Sequence, residues 1–223
     1  MVRFDYNRIR VKTAKDLIIP FVWADRRPVW LDRFFYVPAS YPYGIETVPF
    51  FEKEQPIVIE YCSGNGQWIG EKAKQNPERN FLAVEKRFER ARLIWLKSHR
   101  ENLPNLAVAC AEGLIFTRYY APKTEEIFVN FPDPWPKLRH AKHRLIRSEF
   151  VRELLKVVSS GGRATCVTDD SNYASQIARE FGSCPEWKSL FHVGELSDYG
   201  GSFFNDLWKR RGRSIHYLSY ERI

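Results

Sequence analysis

Ile57-Val58-Ile59-Glu60-Tyr61-Cys62-Ser63-Gly64-Asn65-Gly66 decides how this chain is read. A short apolar run, bounded by Pro56 and a glycine-rich turn, predicts a buried strand that empties into a tight loop and then a helix. Further strand candidates follow at 81–85, 106–110, 127–131 and 164–167, each separated by helix-length sequence. Between the second and third, residues 87–101 place Phe88, Ala91, Ile94 and Trp95 at helical spacing. Residues 148–158 do the same through Phe150, Val151, Leu154, Leu155 and Val158, and the helix is expected to stop at Gly161-Gly162. Strand and helix alternating at this pitch predict a parallel sheet covered on both faces, with its ligand beyond the carboxyl ends of the strands.

The loop and the strand ends carry chemistry. Glu85 closes the second strand 25 positions after Glu60, and a carboxylate there is placed to accept both hydroxyls of a ribose. Gly64 and Gly66 let the backbone come close to a ligand. A dinucleotide fingerprint would need glycine where Ile69 stands, and Glu60 would repel a pyrophosphate. The sulfonium and ammonium groups of S-adenosylmethionine are instead favoured by an acidic loop. Glu112, just after the third strand, is expected to face the adenine edge.

The fourth strand leads into Asn130-Phe131-Pro132-Asp133-Pro134-Trp135-Pro136-Lys137, where three prolines in five positions stiffen the loop that carries Asp133. Seven Lys/Arg against two Glu between positions 137 and 156 read as a phosphate-contacting stripe, with a solvated helix face as the ordinary alternative. His140 and His143 have no third ligand nearby and cationic neighbours, so no metal is expected.

The whole chain, 223 residues with 44% hydrophobic and 15% aromatic side chains, is sized for one domain with an appendage, and excludes fibrous and disordered classes. Its 35 Lys+Arg against 27 Asp+Glu, formally +8, favour a polyanionic partner. The longest apolar run, 106–111, is too short to span a bilayer or form a signal core, so a cytoplasmic protein away from membranes is expected. Cys62, Cys110, Cys166 and Cys184 contain no C-x-x-C pair and read as reduced. Residues 1–55, interrupted by five prolines and rich in aromatic and basic side chains, are expected to form an arm ahead of a domain at 56–223, packing on the core or stacking on exposed bases.

The N-F-P-D-P-W-P-K loop followed by Arg139-His140-Ala141-Lys142-His143-Arg144, the acidic strand ends and Thr168-Asp169 together resemble the bacterial tRNA (guanine-N7-)-methyltransferase family, from Glu60 to the carboxyl end. The resemblance implies an α/β class I S-adenosylmethionine-dependent fold: Rossmann-like, three-layered, with a seven-stranded, mostly parallel sheet. It implies S-adenosylmethionine as donor, tRNA as the macromolecular partner with no obligate protein subunit, and N7 of a variable-loop guanosine as acceptor. Glu60, Gly64, Gly66, Glu85, Glu112 and Asp133 are then assigned to the cofactor, with Asp133 also catalytic. Lys137, Asp169, Ser202 and Asn205 are assigned to the substrate, and Arg139, His140, Lys142, His143 and Arg144 to RNA contact. Two positions depart from the family pattern. Cys62 stands where the family loop E-I-G has glycine, which implies a different turn, and Ser202-Phe203-Phe204-Asn205 replaces T-x-F-E, leaving Asn205 one carbonyl oxygen for the base. The rivals are a non-catalytic RNA-binding protein on a methyltransferase fold, and a small-molecule or protein methyltransferase.

Overall fold

The computed structural model describes residues 28–37 and 48–223. Residues 1–27 and 38–47, most of the expected arm, lie outside the described residues. Among the described residues nine strands form one sheet: β1 (Val29–Leu31), β2 (Phe34–Tyr36), β3 (Ile57–Tyr61), β4 (Asn80–Glu85), β5 (Leu106–Cys110), β6 (Thr124–Asn130), β7 (Val158–Thr168), β8 (Trp187–Val193) and β9 (His216–Arg222), in the order β1-β2-β5-β4-β3-β6-β7-β9-β8. From β2 across to β7 each adjacent pair is parallel, and β9 inserts antiparallel between β7 and β8. The seven strands from β5 to β8 in that order are the expected sheet. The hairpin β1–β2 adds two more at the β5 edge, turning tightly through Asp32 and Arg33, both at positive φ.

Alternation along the central strands explains the three layers. Ile59, Tyr61, Leu82, Val84, Ala107 and Ala109 face one core, packed under α3 (Gly113–Tyr119), α4 (Ser148–Val157) and α5 (Ser171–Gly182). Val58, Phe81, Ala83, Leu106 and Val108 face the other, under α1 (Gln67–Gln75) and α2 (Phe88–Arg100). Both faces are apolar because both are covered. The last helix, α6 (Phe203–Arg210), lies on this second side, where Trp208 packs against the core.

One boundary differs from the sequence expectation. Helix α4 ends at Val157 and β7 begins at once, so Gly161-Gly162 belongs to the strand and not to the helix stop. Gly161 takes φ +76, and a Cβ on Gly162 would lie 2.8 Å from the Glu125 carbonyl oxygen. The pair makes a bulge against β6, whose register shifts between Thr124 and Glu126.

Candidate active site at the carboxyl ends of the strands

The chain reverses direction across the sheet between β3 and β6, and there a cavity of about 340 Å³ opens beyond the strand ends. Glu85, Glu112, Asp133, His143 and Asp169 all line it. Glu85 is buried at the tip of β4, where Oε2 accepts from the Gly64 amide at 2.9 Å and Oε1 from the Arg87 amide at 2.8 Å. The carboxylate thus pins the glycine loop to the strand beside it. Gly66 precedes α1 at φ +70, and a Cβ on it would approach Ile94 to 2.7 Å, so α2 can pack closely only against glycine. Glu112 caps α3, accepting from the Ile115 amide at 3.0 Å.

Glu60 lies beneath this wall and does not reach the cavity surface. Its Oε1 accepts from Asn130 Nδ2 at 2.7 Å, while Oε2 is buried with no hydrogen-bond partner among the described residues. Burial pushes its carboxyl up to about 7, Asn130 and Ser63 pull it back in part, and the nearby Glu85 charge adds to the rise. A buried acidic oxygen lacking a donor suits a cationic ligand group.

Opposite the acids stands the proline loop. Phe131 and Trp135 both take positive φ (+46 and +42), so the loop is held in conformations that bulky side chains rarely adopt. Asp133 is half-exposed and pairs with Lys86 Nζ at 3.0 Å. The 3-10 turn Leu138–His143 follows, with His140 and His143 5.9 and 5.3 Å from the Trp135 ring. Lys137, Arg139 and Lys142 are exposed on this turn, outside the cavity wall.

Arg144 departs from the expected stripe. It is buried, donates to the Pro134 carbonyl oxygen and to Gln176 Oε1, and lies over the Tyr173 ring. Its cation anchors the proline loop to α5 and is not available to a phosphate. Ser202 and Asn205 are likewise buried: Ser202 Oγ caps α6 by accepting from the Asn205 amide, and Asn205 Oδ1 accepts from Tyr217 Oη at 2.7 Å. Asn205 therefore faces β9 beneath α6, because the helix turns its apolar and amide face to the sheet, and it does not stand on the cavity wall.

Phe204, Trp208 and Arg213 do line the cavity and were missed by the motif reading. The signal was the spacing of Phe204, Leu207 and Trp208, one face of a helix. Among the described residues no group of three or more His, Cys, Asp and Glu is arranged to hold a metal, no helix is long and apolar enough to cross a membrane, and all four cysteines are free.

A family model described as "Putative methyltransferase" matches residues 54–215. A tRNA (guanine-N(7)-)-methyltransferase of Chlamydia muridarum is 40% identical over 211 residues, 90% of this chain and 94% of its own. Its counterpart from Chlamydia felis is 40% identical over 216 residues, 92% and 96% of the two chains. The chain belongs to the tRNA (guanine-N(7)-)-methyltransferase family. The solved structure of TrmN from Thermus thermophilus aligns with TM-score 0.58 at 18% identity over 76% of this chain and 45% of that one. The 16S rRNA methyltransferase KamB aligns with TM-score 0.59 at 17% identity, covering 76% and 89%. At such identities the likeness is one of fold, and it is the expected methyltransferase fold.

Membership in this methyltransferase family bears on Cys62. It adopts φ +62, so the chain makes a left-handed, glycine-type turn here with a side chain present. Cys62 is partly buried on the cavity wall, and desolvation there, with the Glu85 and Asp133 charges nearby, pushes its thiol above the ordinary range.

Proposed function

We propose that this protein transfers a methyl group from S-adenosylmethionine to N7 of a guanosine in the variable loop of tRNA, in the cytoplasm and without an obligate protein partner. The observation that carries the reading is the two-sided cavity. Acidic side chains on the tips of β4 and β5 face a proline-stiffened Asp133 loop, aromatic rings of Phe131, Trp135, Phe204 and Trp208 wall the space between, and basic side chains rim it.

The residues present fit the cofactor. Glu85 and Glu112 line the cavity and suit the ribose and adenine ends, while Glu60, beneath the wall, acts on a ligand cation only at a distance. S-adenosylmethionine, when bound, supplies a methyl group made electrophilic by its sulfonium. Guanine N7 carries an in-plane lone pair and needs no base to attack it. The protein's own contribution is then alignment and charge. Asp133, half-exposed on a stiff loop, stabilises the positive charge that grows on the purine, and Lys86 holds its carboxylate in place at 3.0 Å. Asp169 accepts from donors on the base, and Lys137, Arg139 and Lys142 contact the RNA backbone.

Incubation with methyl-labelled S-adenosylmethionine and unmodified tRNA tests this. Label is expected in 7-methylguanosine, and tRNA carrying 7-deazaguanosine at the acceptor position is expected to stay unlabelled. Label retained in the deaza substrate, or none in either, would overturn the proposal.

A further inference from the structure

Arg213 belongs to no motif read from the sequence, and the chemistry above does not use it. It follows α6 directly after Gly212 and turns back, so that its guanidinium lies over the Trp208 ring, 4.1 Å from the centroid, while Nη1 donates to Asp169 Oδ2. Asp169, Trp208 and Arg213 all line the cavity. The backbone does not depend on this pose: the Arg213 amide donates to the Trp208 carbonyl oxygen and the Gly212 amide to that of Lys209. The Arg213 side chain is 53% exposed, whereas that of Asp169 is only 11% exposed. A half-exposed arginine thus reaches into a cavity and neutralises a largely buried carboxylate.

What it presents there is a planar guanidine, with a flat face toward an indole and in-plane N–H donors toward a carboxylate. The N1–C2–N3 edge of guanine with its exocyclic amine is also a guanidine: N1–H and N2–H lie side by side in one plane, backed by a π face. We infer that Arg213 is an internal stand-in for the guanine base, filling the subsite that Asp169 and Trp208 form until a base displaces it. The inference rests on the proposed activity and deepens it by naming how the base is selected. A base enters only by replacing donors with donors and a stacking face with a stacking face. Guanine offers both N1–H and N2–H, hypoxanthine offers N1–H alone, and adenine turns an acceptor N1 toward the Asp169 carboxylate. The displaced guanidinium stays at the cavity rim as a free cation, suited to a phosphate of the same nucleotide. With no base bound, Asp169 is not left without a cation.

Nucleoside binding to the full-length protein, followed by ligand-observed NMR titration with guanosine, inosine and adenosine, tests the inference without requiring methyl transfer. Removing a half-exposed ion pair and a cation–π contact that compete with the base is expected to make Arg213→Ala bind guanosine about three- to tenfold more tightly than the parent. Inosine is expected to gain less and adenosine nothing. Asp169→Asn in the Arg213→Ala background is expected to erase the guanosine gain, and thermal melts verify that each variant is folded. Equal or weaker guanosine binding by folded Arg213→Ala, or an equal gain for all three nucleosides, would overturn the inference. If tRNA methylation persists in the parent, such a result leaves the proposed activity standing. Guanosine bound by neither parent nor variant, together with no transfer to tRNA, would overturn both.

Discussion

Glu85 ends β4 and Glu112 stands two residues past β5, strands whose side chains are buried on both faces, whereas Trp208, Arg213 and His143 are carried by an eight-residue helix, the turn after it and a six-residue 3-10 turn. The first group is held by the sheet itself: Glu85 bonds two backbone amides, and moving it would disturb the glycine loop. The second group is held by side-chain contacts: Trp208 against the core, Arg213 over Trp208 and against Asp169, and His143 beside Trp135. Such a division suits a small ligand of constant shape on one side and a large, variable polyanion on the other. In this cavity Glu85, at a strand end, is fixed by backbone amides, and the side chains beyond the strands by other side chains. The proline loop is the exception, a loop given sheet-like fixity by Arg144.

The largest effect is expected at the proline loop. Asp133→Asn keeps the shape of the side chain and removes its charge. The expected loss in turnover is on the order of 100-fold, with fold and tRNA affinity unchanged. Turnover within about threefold of the parent would remove Asp133 from the chemistry.

The acidic side responds to pH. The Glu60 carboxyl is raised from 4.5 to about 7 in the folded protein. The folded state therefore holds this proton more tightly than the unfolded one. Its contribution is fully present below about pH 4.5 and is lost as pH rises through 7, a loss on the order of 3 kcal/mol. Glu60→Gln stays neutral and keeps an oxygen for Asn130. Without cofactor, it is expected to match the parent at pH 5 and to melt several degrees higher at pH 8. Parallel melting curves for parent and variant across that range would mean that the site tolerates the charge.

The cations of residues 139–144 divide along the same line. Arg144→Ala leaves Gln176 Oε1 without its cationic partner and frees the proline loop, at an expected cost of about 2–3 kcal/mol in denaturant unfolding. Arg139→Ala with Lys142→Ala is expected to leave stability within about 0.5 kcal/mol. It should also lower the log–log salt slope of tRNA binding by roughly one unit or a little less per lost phosphate contact. An unchanged slope would make these two side chains a solvated face.

The sequence shows the acidic half more plainly than the other, and the reason is physical. Strands β3 and β5 fall on the residues that period and punctuation predict, because both faces are buried and every side chain reports it. Strand β6 begins three residues before the apolar run does, at Thr124-Glu125-Glu126, where Glu126 pairs with Arg79 toward solvent. Strand β7 is legible at 164–167, but its first half, from Val158, is hidden by a glycine pair that serves a bulge and not a helix end. Arg144 looks like any other cation in a run. Its burial is set by Tyr173 and Gln176, about thirty positions on, and no local pattern carries that. The stack of Arg213 on Trp208 is equally illegible, since it depends on how the chain turns back through Gly212 at φ +70.

The smallest effect is expected where the family pattern made the largest demand. Asn205 occupies the third position of α6 after the Ser202 cap, so a glutamate there completes the S-x-x-E capping box and lies at the positive end of the helix. Burial pushes the Tyr217 phenol up to about 12, so it remains a donor at neutral pH and can donate to either side chain. Charge burial opposes these gains, because Asn205 is only 5% exposed. Asn205→Glu is expected to change stability by less than about 1 kcal/mol and kcat/KM for tRNA by less than about threefold, equivalent to under 0.7 kcal/mol. Asn205→Leu, which strips Tyr217 Oη of its acceptor, is expected to cost about 1–3 kcal/mol of stability and to be relieved by Tyr217→Phe, since removing both partners of a buried bond is cheaper than removing one. Asp206→Ala, on the exposed side of the same turn, is expected to move neither quantity beyond error. A tenfold change in kcat/KM from Asn205→Glu at unchanged stability would put residue 205 back at the substrate, and would mean that α6 turns its inner face to the cavity during the reaction.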